Sequence, residues 1–188
     1  EVDEVHENVV NASGAMITAV DKVFALISQY TGITFVKVTE SATQCGDIRI
    51  GVTSSSQVSV AGSWSSYDIG PENGDIWIRD TYDDGSFSVG SYSFLTILHE
   101  IGHSMGLKHP HETGLGASSW VTPIASQAYD NLWYSLMAYR DYPGDNWGSG
   151  PADHSVEDIN GNEIYNYTYM YYDIAALRYL YSWNEQTS

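Results

Sequence analysis

Residues 99–109 read HEIGHSMGLKH, with histidines at positions 99, 103 and 109 and a glutamate at position 100. Two histidines four residues apart on a helix lie about 40° apart around its axis, so His99 and His103 can reach one metal ion. Gly106 tolerates the positive φ that ends a helix and turns the chain back, which would bring His109 to the same ion. This stretch therefore predicts a three-histidine metal site at the end of a helix.

The residue types in this stretch indicate which metal binds and what it does. Three neutral imidazoles at about 2.0–2.1 Å leave a fourth position for water, which is typical of one catalytic zinc ion. A cysteine-rich structural zinc site is excluded because Cys45 is the only cysteine. Glu100 is expected to take a proton from the attacking water and pass it to the leaving amine. The predicted reaction class is metal-assisted amide hydrolysis.

Two alternatives stand beside this interpretation. An isolated pair such as His99 and His103 is often incidental, and a bare H-E-x-x-H motif has false matches. Gly106 and His109 at fixed offsets argue against that alternative. The other alternative is a zinc-stabilised binding module that has lost catalysis, and Glu100 argues against it.

Hydrophobic periodicity predicts three helices. From Ser91 to Leu107 the apolar residues fall on one side of a helix and the two motif histidines on the other. Apolar residues at helical spacing predict a long helix from about Ser13 to Tyr30, with Gly32 as its stop. A last helix is predicted from Asp173 to Trp183, after an irregular region at about residues 110–149.

The first half of the chain also contains four β-rich stretches. They are Ile33–Val38, Asp47–Thr53, Val58–Trp64 and Asp75–Arg79. We expect an extended substrate to pair with the last of these like an added strand, with Ile76, Trp77 and Ile78 as the substrate-binding residues.

Length and charge limit the other classes of function. A chain of 188 residues is about the size of one domain, and its 7 Lys+Arg against 24 Asp+Glu give a net charge of -17. Such acidity argues against nucleic acid and anionic membranes as partners, because phosphate binding needs clustered cations. No apolar segment is long enough to span a bilayer, and the first residue is Glu1, which suggests a processed or excised mature form. We expect a secreted, extracellular monomer whose partners are protein or peptide substrates.

The extended histidine motif resembles that of the metzincin clan of metalloproteases, in which a methionine-bearing turn follows downstream. Residues 134–139, Tyr-Ser-Leu-Met-Ala-Tyr, supply such a turn. Together with Gly106–Pro110 and Asp173–Tyr181, this turn is most similar to the serralysin subfamily. Matrixin-like chains lack a tyrosine two residues after the methionine, and astacin-like chains typically carry Glu at the position of Pro110.

The resemblance implies a zinc metalloendopeptidase with an α/β (α+β) fold. Its twisted, mostly parallel five-stranded sheet would have an antiparallel edge strand, next to a long N-terminal helix, a zinc-site helix and an irregular C-terminal subdomain ending in a helix. Residues 1–188 would form a single catalytic domain, with 1–106 as the upper and 107–188 as the lower subdomain. Met137 would form an apolar floor beneath the ligands. Tyr139 would bind zinc in the resting enzyme and swing away to hydrogen-bond the tetrahedral intermediate.

Calcium is the second metal that the sequence suggests. Serralysins usually continue into glycine- and aspartate-rich calcium repeats, but no G-G-x-G-x-D pattern follows Trp183, so the chain is either truncated or a compact member. Residues 158–163 place oxygen ligands around Gly161, which suggests either part of a Ca²⁺ loop or a plain polar turn. His6, His111 and His154 lie outside the motif and are expected at the surface.

Overall fold

The computed structural model describes residues 8–55, 58, 61–64, 74–83, 85–112, 125–126, 128–145 and 155–181. Its helices are α1 (Gly14–Thr31), α2 (Tyr92–Ser104) and α3 (Tyr171–Tyr181), and a 3-10 turn covers Asp80–Tyr82. Its strands are β1 (Val9–Val10), β2 (Ile50–Thr53), β3 (Ala61–Trp64), β4 (Asp75–Arg79), β5 (Ser155–Glu157) and β6 (Glu163–Tyr165). The described residues thus form a mixed α/β structure, in agreement with the α+β class expected from the sequence.

The bounds of α1 are set by its capping residues. The Ser13 hydroxyl accepts a hydrogen bond from the Met16 amide at 3.1 Å, and the Ser13 amide donates to the Asp83 carboxylate at 2.6 Å. At the other end Gly32 has φ of 78°, and its amide donates to the Ser28 carbonyl. Polar capping groups therefore fix α1 within one residue of the predicted bounds.

The main sheet has the strand order β1-β2-β4-β3 in the part of the chain that the structure describes. The central pair, β2 and β4, is parallel, while β1 and β3 pair antiparallel at the two edges. Antiparallel strands therefore lie at both described edges, β1 on one and β3 on the other. β5 and β6 form a separate antiparallel hairpin that the sequence analysis did not predict.

The two faces of the sheet are packed differently. Ile76 and Ile78 of β4 point into the main core with helices α1 and α2 and are about 1% exposed. Trp77 points to the other face, where its ring lies over Gly51 and contacts Val58. A Cβ atom at position 51 would overlap the Trp77 ring, so only glycine allows this approach.

Helix α2 connects the core to the candidate site. Its apolar side is fully buried, and each such side chain contributes about 1.5–3 kcal/mol to folding. The residues on this side are Phe94, Ile97, Leu98 and Ile101. The helix begins at Ser91, whose hydroxyl accepts from the Phe94 amide at 3.1 Å. The motif histidines are therefore attached to a rigidly packed element.

Several sequence predictions need correction. The strand predicted at Ile33–Val38 is wrong: this segment is irregular, and Phe35 packs against Phe24 of α1, with ring centroids 4.7 Å apart, instead of the chain pairing with a described strand. As a result the described sheet contains four strands rather than five. The strands expected at 47–53 and 58–64 are shorter, beginning at Ile50 and Ala61. Trp183, the predicted end of the last helix, lies outside the described residues.

Two further points concern the chain as a whole. None of the described helices is both long and apolar enough to cross a bilayer. The division into upper and lower subdomains at Gly106 stays a prediction.

Candidate metal centre

Helix α2 brings the first two motif histidines together. His99 and His103 are one turn apart, and their Nε2 atoms lie 3.1 Å from each other. Both rings are half-buried, on the opposite side of the helix from its apolar residues. The spacing of four residues therefore produces the convergence predicted from helical geometry.

The turn after α2 brings the third histidine to the same point. Gly106 has φ of 89°, its amide donates to the His103 carbonyl, and the Leu107 amide donates to the Gly102 carbonyl. These two bonds form a Schellman motif, which reverses the chain after the helix. The Nε2 atom of His109 then lies 3.2 Å from that of His99 and 3.0 Å from that of His103.

The second nitrogen of each ring fixes its tautomer. The Nδ1 atoms of His99 and His103 lie 3.3 and 3.0 Å from the carbonyl oxygens of Leu136 and Leu107. The Nδ1 atom of His109 lies 2.5 Å from the Glu112 carboxylate. Because all three partners are acceptors, each Nδ1 carries the proton and each Nε2 presents a lone pair.

Three lone pairs facing one another repel unless a cation lies between them. Nitrogens bound to one tetrahedral zinc ion are roughly 3.3 Å apart when the Zn–N bonds are about 2.0–2.1 Å. The observed separations of 3.0–3.2 Å are close to this value. The donor set and its geometry therefore fit zinc, and His99, His103 and His109 are the residues that would hold it.

Burial also favours the neutral, metal-binding form of these rings. It lowers the pKa of His103, and together with the neighbouring charge of His103 it lowers the pKa of His109 to about 4. Both rings are consequently free of a competing proton at neutral pH.

Glu100 and Tyr139 lie at the edge of the histidine cluster. Both line a cavity of about 190 Å³ that also exposes His99. Glu100 is only 9% exposed, while Tyr139 is 47% exposed and its ring centroid lies 4.5 Å from that of His109. Burial, and then the negative charge of Glu100, raises the pKa of Tyr139. Its phenol therefore keeps its proton at neutral pH and can act as a hydrogen-bond donor.

The methionine turn packs beneath α2. Met137 is fully buried, and its sulfur lies so close to Gly102 that a Cβ there would approach it to 2.8 Å. The preceding residue, Leu136, supplies the carbonyl that faces His99. Met137 thus packs against the motif helix at Gly102, and its role as a floor beneath the ligands stays a prediction.

The chain is similar in sequence to several curated metalloproteases. It is 30% identical over 117 residues to "Serralysin" of Proteus mirabilis and 29% identical over 146 residues to "Metalloprotease AprA" of Pseudomonas entomophila (strain L48). It is 35% identical over 96 residues to "Serralysin C" of Dickeya chrysanthemi. These matches cover 61%, 76% and 51% of this chain. The chain is serralysin-like.

The serralysin-like chain matches only a part of each relative. The aligned regions cover 21%, 28% and 18% of the three proteins, so the chain spans less than a third of the curated relatives it matches. No family model matches the chain.

The structure does not support the substrate-binding residues expected on β4 of this serralysin-like chain. β4 pairs with β2 on one side and with β3 on the other, so its backbone has no open edge. Ile76 and Ile78 are core residues, and Trp77 packs on Gly51. Among the described strands, the edge of the sheet on this side is β3, which lies against α2.

The structure also describes two weaker candidate features, His111 and the turn at residues 158–163. His111 was expected at the surface, but it is half-buried and its ring stacks on that of His109 with centroids 5.1 Å apart. The Asp158 carboxylate accepts hydrogen bonds from the Asn160 and Asn162 amides within the β5–β6 turn. These bonds close a polar turn, and Ca²⁺ binding at residues 158–163 stays a prediction. His6 and His154 lie outside the described residues.

Sequence reasoning missed two carboxylates that support the site. Asp173 near the start of α3 accepts from the Ser135 hydroxyl at 2.6 Å, the Leu136 amide at 2.7 Å and the Met170 amide at 2.9 Å. It thereby ties the methionine turn to α3. Glu112 faces His109, and its position three residues after the last ligand was the signal available in the sequence.

Proposed function

We propose that the chain is the catalytic part of a secreted zinc-dependent metalloendopeptidase that cleaves proteins or peptides outside the cell. The observation that carries this proposal is the convergence of three Nε2 lone pairs from His99, His103 and His109 beside Glu100. The similarity to curated metalloproteases supports the same class of reaction.

Each residue of the centre has a separate role in this proposal. A zinc ion bound by the three histidines would polarise the scissile carbonyl and lower the pKa of the water that attacks it. Glu100 accepts the proton of that water and delivers it to the leaving amine. Tyr139 would also help to hold the zinc ion and would donate a hydrogen bond to the developing oxyanion, where the raised pKa of its phenol keeps the proton available. Met137 supports the ligands from below.

The substrate is proposed to bind along β3 rather than β4. β3 lies at the edge of the sheet and beside α2, so an extended peptide added to it would run past the histidine cluster. The cavity next to His99 and Glu100 is lined by polar and apolar groups in similar measure, with Leu95, Leu132 and Leu136 among the apolar ones. It offers space for a side chain next to the scissile bond.

The deciding experiment is hydrolysis of a casein-type substrate by this 188-residue chain, with metal content measured on the same sample. We expect about one zinc per chain and activity that a chelator abolishes and added zinc restores. A chain that binds about one zinc but does not hydrolyse the substrate, whether or not chelator is added, would favour the alternative of a binding module. No bound zinc after gentle purification would contradict the metal assignment.

The chain is further proposed to act as a monomer without nucleic-acid or membrane partners. Its net charge of -17 supports the absence of phosphate-rich partners. Sedimentation analysis of the purified chain tests the oligomeric state.

A further inference from the structure

The three ligand histidines differ in what holds their second nitrogen. His99 and His103 face neutral backbone carbonyls, whereas Nδ1 of His109 faces the Glu112 carboxylate at 2.5 Å. Glu112 is thus a charged partner of a ligand nitrogen at hydrogen-bond distance. His109 is therefore held differently from the two ligands on the helix.

The local chain conformation places Glu112 for this contact. The Glu112 amide donates to the His109 carbonyl at 3.0 Å, which folds residues 109–112 into a turn. The other carboxylate oxygen lies 3.7 Å from the Lys108 ammonium, so Oε1 is directed to His109. The His109 side chain is 15% exposed and that of Glu112 33%, so water only partly screens the pair.

His109 needs such a partner more than the other ligands do. His99 and His103 belong to α2, whose packed backbone sets their direction. His109 follows Gly106 in an irregular segment, where no helix restricts the rotation of its ring. A carboxylate on Nδ1 fixes both the ring orientation and the tautomer, and it strengthens the donation of electrons from Nε2 to a metal.

We propose that Glu112 is a positioning residue that orients His109 and increases the affinity of the histidine cluster for zinc. This inference rests on the proposed zinc-dependent function. Glu112 would contact neither substrate nor metal and would act through His109 alone.

The test compares zinc affinities of the whole chain and its variants by competition with a chelator of known affinity. Glu112→Ala should weaken zinc binding by about 10–100-fold, the usual loss for such a partner. Glu112→Gln keeps an acceptor oxygen but loses the charge, so its affinity should lie between those of Glu112→Ala and the unaltered chain. Glu157→Gln removes one carboxylate from the β5–β6 hairpin and should bind zinc like the unaltered chain.

A spectroscopic readout separates positioning of His109 from a general loss of structure. With cobalt(II) in place of zinc, the visible absorption bands should shift in Glu112→Gln, while the circular dichroism of the metal-free protein stays unchanged. Should Glu112→Ala fail to fold, Glu112→Gln carries the comparison.

The outcomes distinguish this inference from the proposed function. Equal zinc affinities of the unaltered chain and Glu112→Ala would overturn the role of Glu112 alone. An affinity of Glu112→Gln equal to that of the unaltered chain would overturn the argument from charge. An unaltered chain that binds no zinc would overturn the proposed function, and this inference with it.

Discussion

Replacing Asp173 with alanine tests how the methionine turn is held. The Asp173 carboxylate is 3% exposed and accepts three hydrogen bonds, from the Ser135 hydroxyl and from the Leu136 and Met170 amides. Burial nevertheless raises the pKa of Asp173, so the buried charge itself is not the source of stabilisation. The cost of its removal comes from the donors that it leaves unpaired.

The magnitude follows from the number of these donors. A buried donor without a partner costs about 1–3 kcal/mol, and the Ser135 hydroxyl can rotate to another acceptor whereas the Leu136 and Met170 amides cannot. Asp173→Ala should therefore lower the free energy of unfolding by about 2–6 kcal/mol, a large share of the roughly 5–15 kcal/mol typical of a domain.

Urea unfolding of the metal-free protein, followed by tryptophan fluorescence, measures this loss. Ser135→Ala removes two bonds, one to the Asp173 carboxylate and one from the Met137 amide, and should cost about 1–3 kcal/mol because that amide loses its acceptor. Asp158→Ala removes a more exposed carboxylate and should cost less. An Asp173→Ala variant within about 0.5 kcal/mol of the unaltered protein would refute the reasoning, because that is the range of ordinary surface changes.

The remaining predictions concern the reaction and its dependence on pH. Glu100→Ala should abolish hydrolysis of casein while metal analysis still finds about one zinc per chain, because Glu100 is not a proposed ligand; residual turnover near the original rate would contradict its role as base. Tyr139→Phe should lower kcat by about 10²–10³-fold with a smaller change in KM, as measured by steady-state kinetics. A variant with full activity would contradict the proposed oxyanion role of Tyr139. In the metal-free protein the pKa of His109 is lowered from 6.5 to about 4, so the unfolded chain binds this proton more readily than the folded one. Stability should therefore be complete above about pH 6.5 and fall towards pH 4, and urea midpoints for His109→Gln should show a weaker fall over that window.

Features governed by neighbouring residues could be predicted from the sequence. The ends of α1 followed from the apolar residues at helical spacing after Ser13 and from Gly32 as the stop. β4 was predicted with its observed bounds because Ile76 and Ile78 alternate with residues of the other face. The convergence of the three histidines followed from helix geometry and one glycine turn.

Features governed by distant pairing could not be predicted in this way. The β-rich composition of Ile33–Val38 indicated a strand, but a strand needs a partner, and Phe35 packs on α1 instead. The sequence also did not show which strands pair with β4, so substrate binding was predicted along a strand that lies inside the sheet. Asp173 acts on a turn 38 residues earlier in the chain, a separation over which periodicity carries no information.

The order of the site residues along the chain has a consequence for biosynthesis. All three histidines lie within residues 99–109, whereas Leu136 and Asp173, which hold them in place, come later. Because the ligands are close in sequence, little chain entropy is lost when they gather around an ion. If the cluster binds zinc as proposed, a growing chain could bind the ion once the histidine segment has left the ribosome, before Leu136 and α3 are synthesised. A chain that ended before Asp173 would then contain the three proposed histidine ligands without the carboxylate that ties the methionine turn to α3.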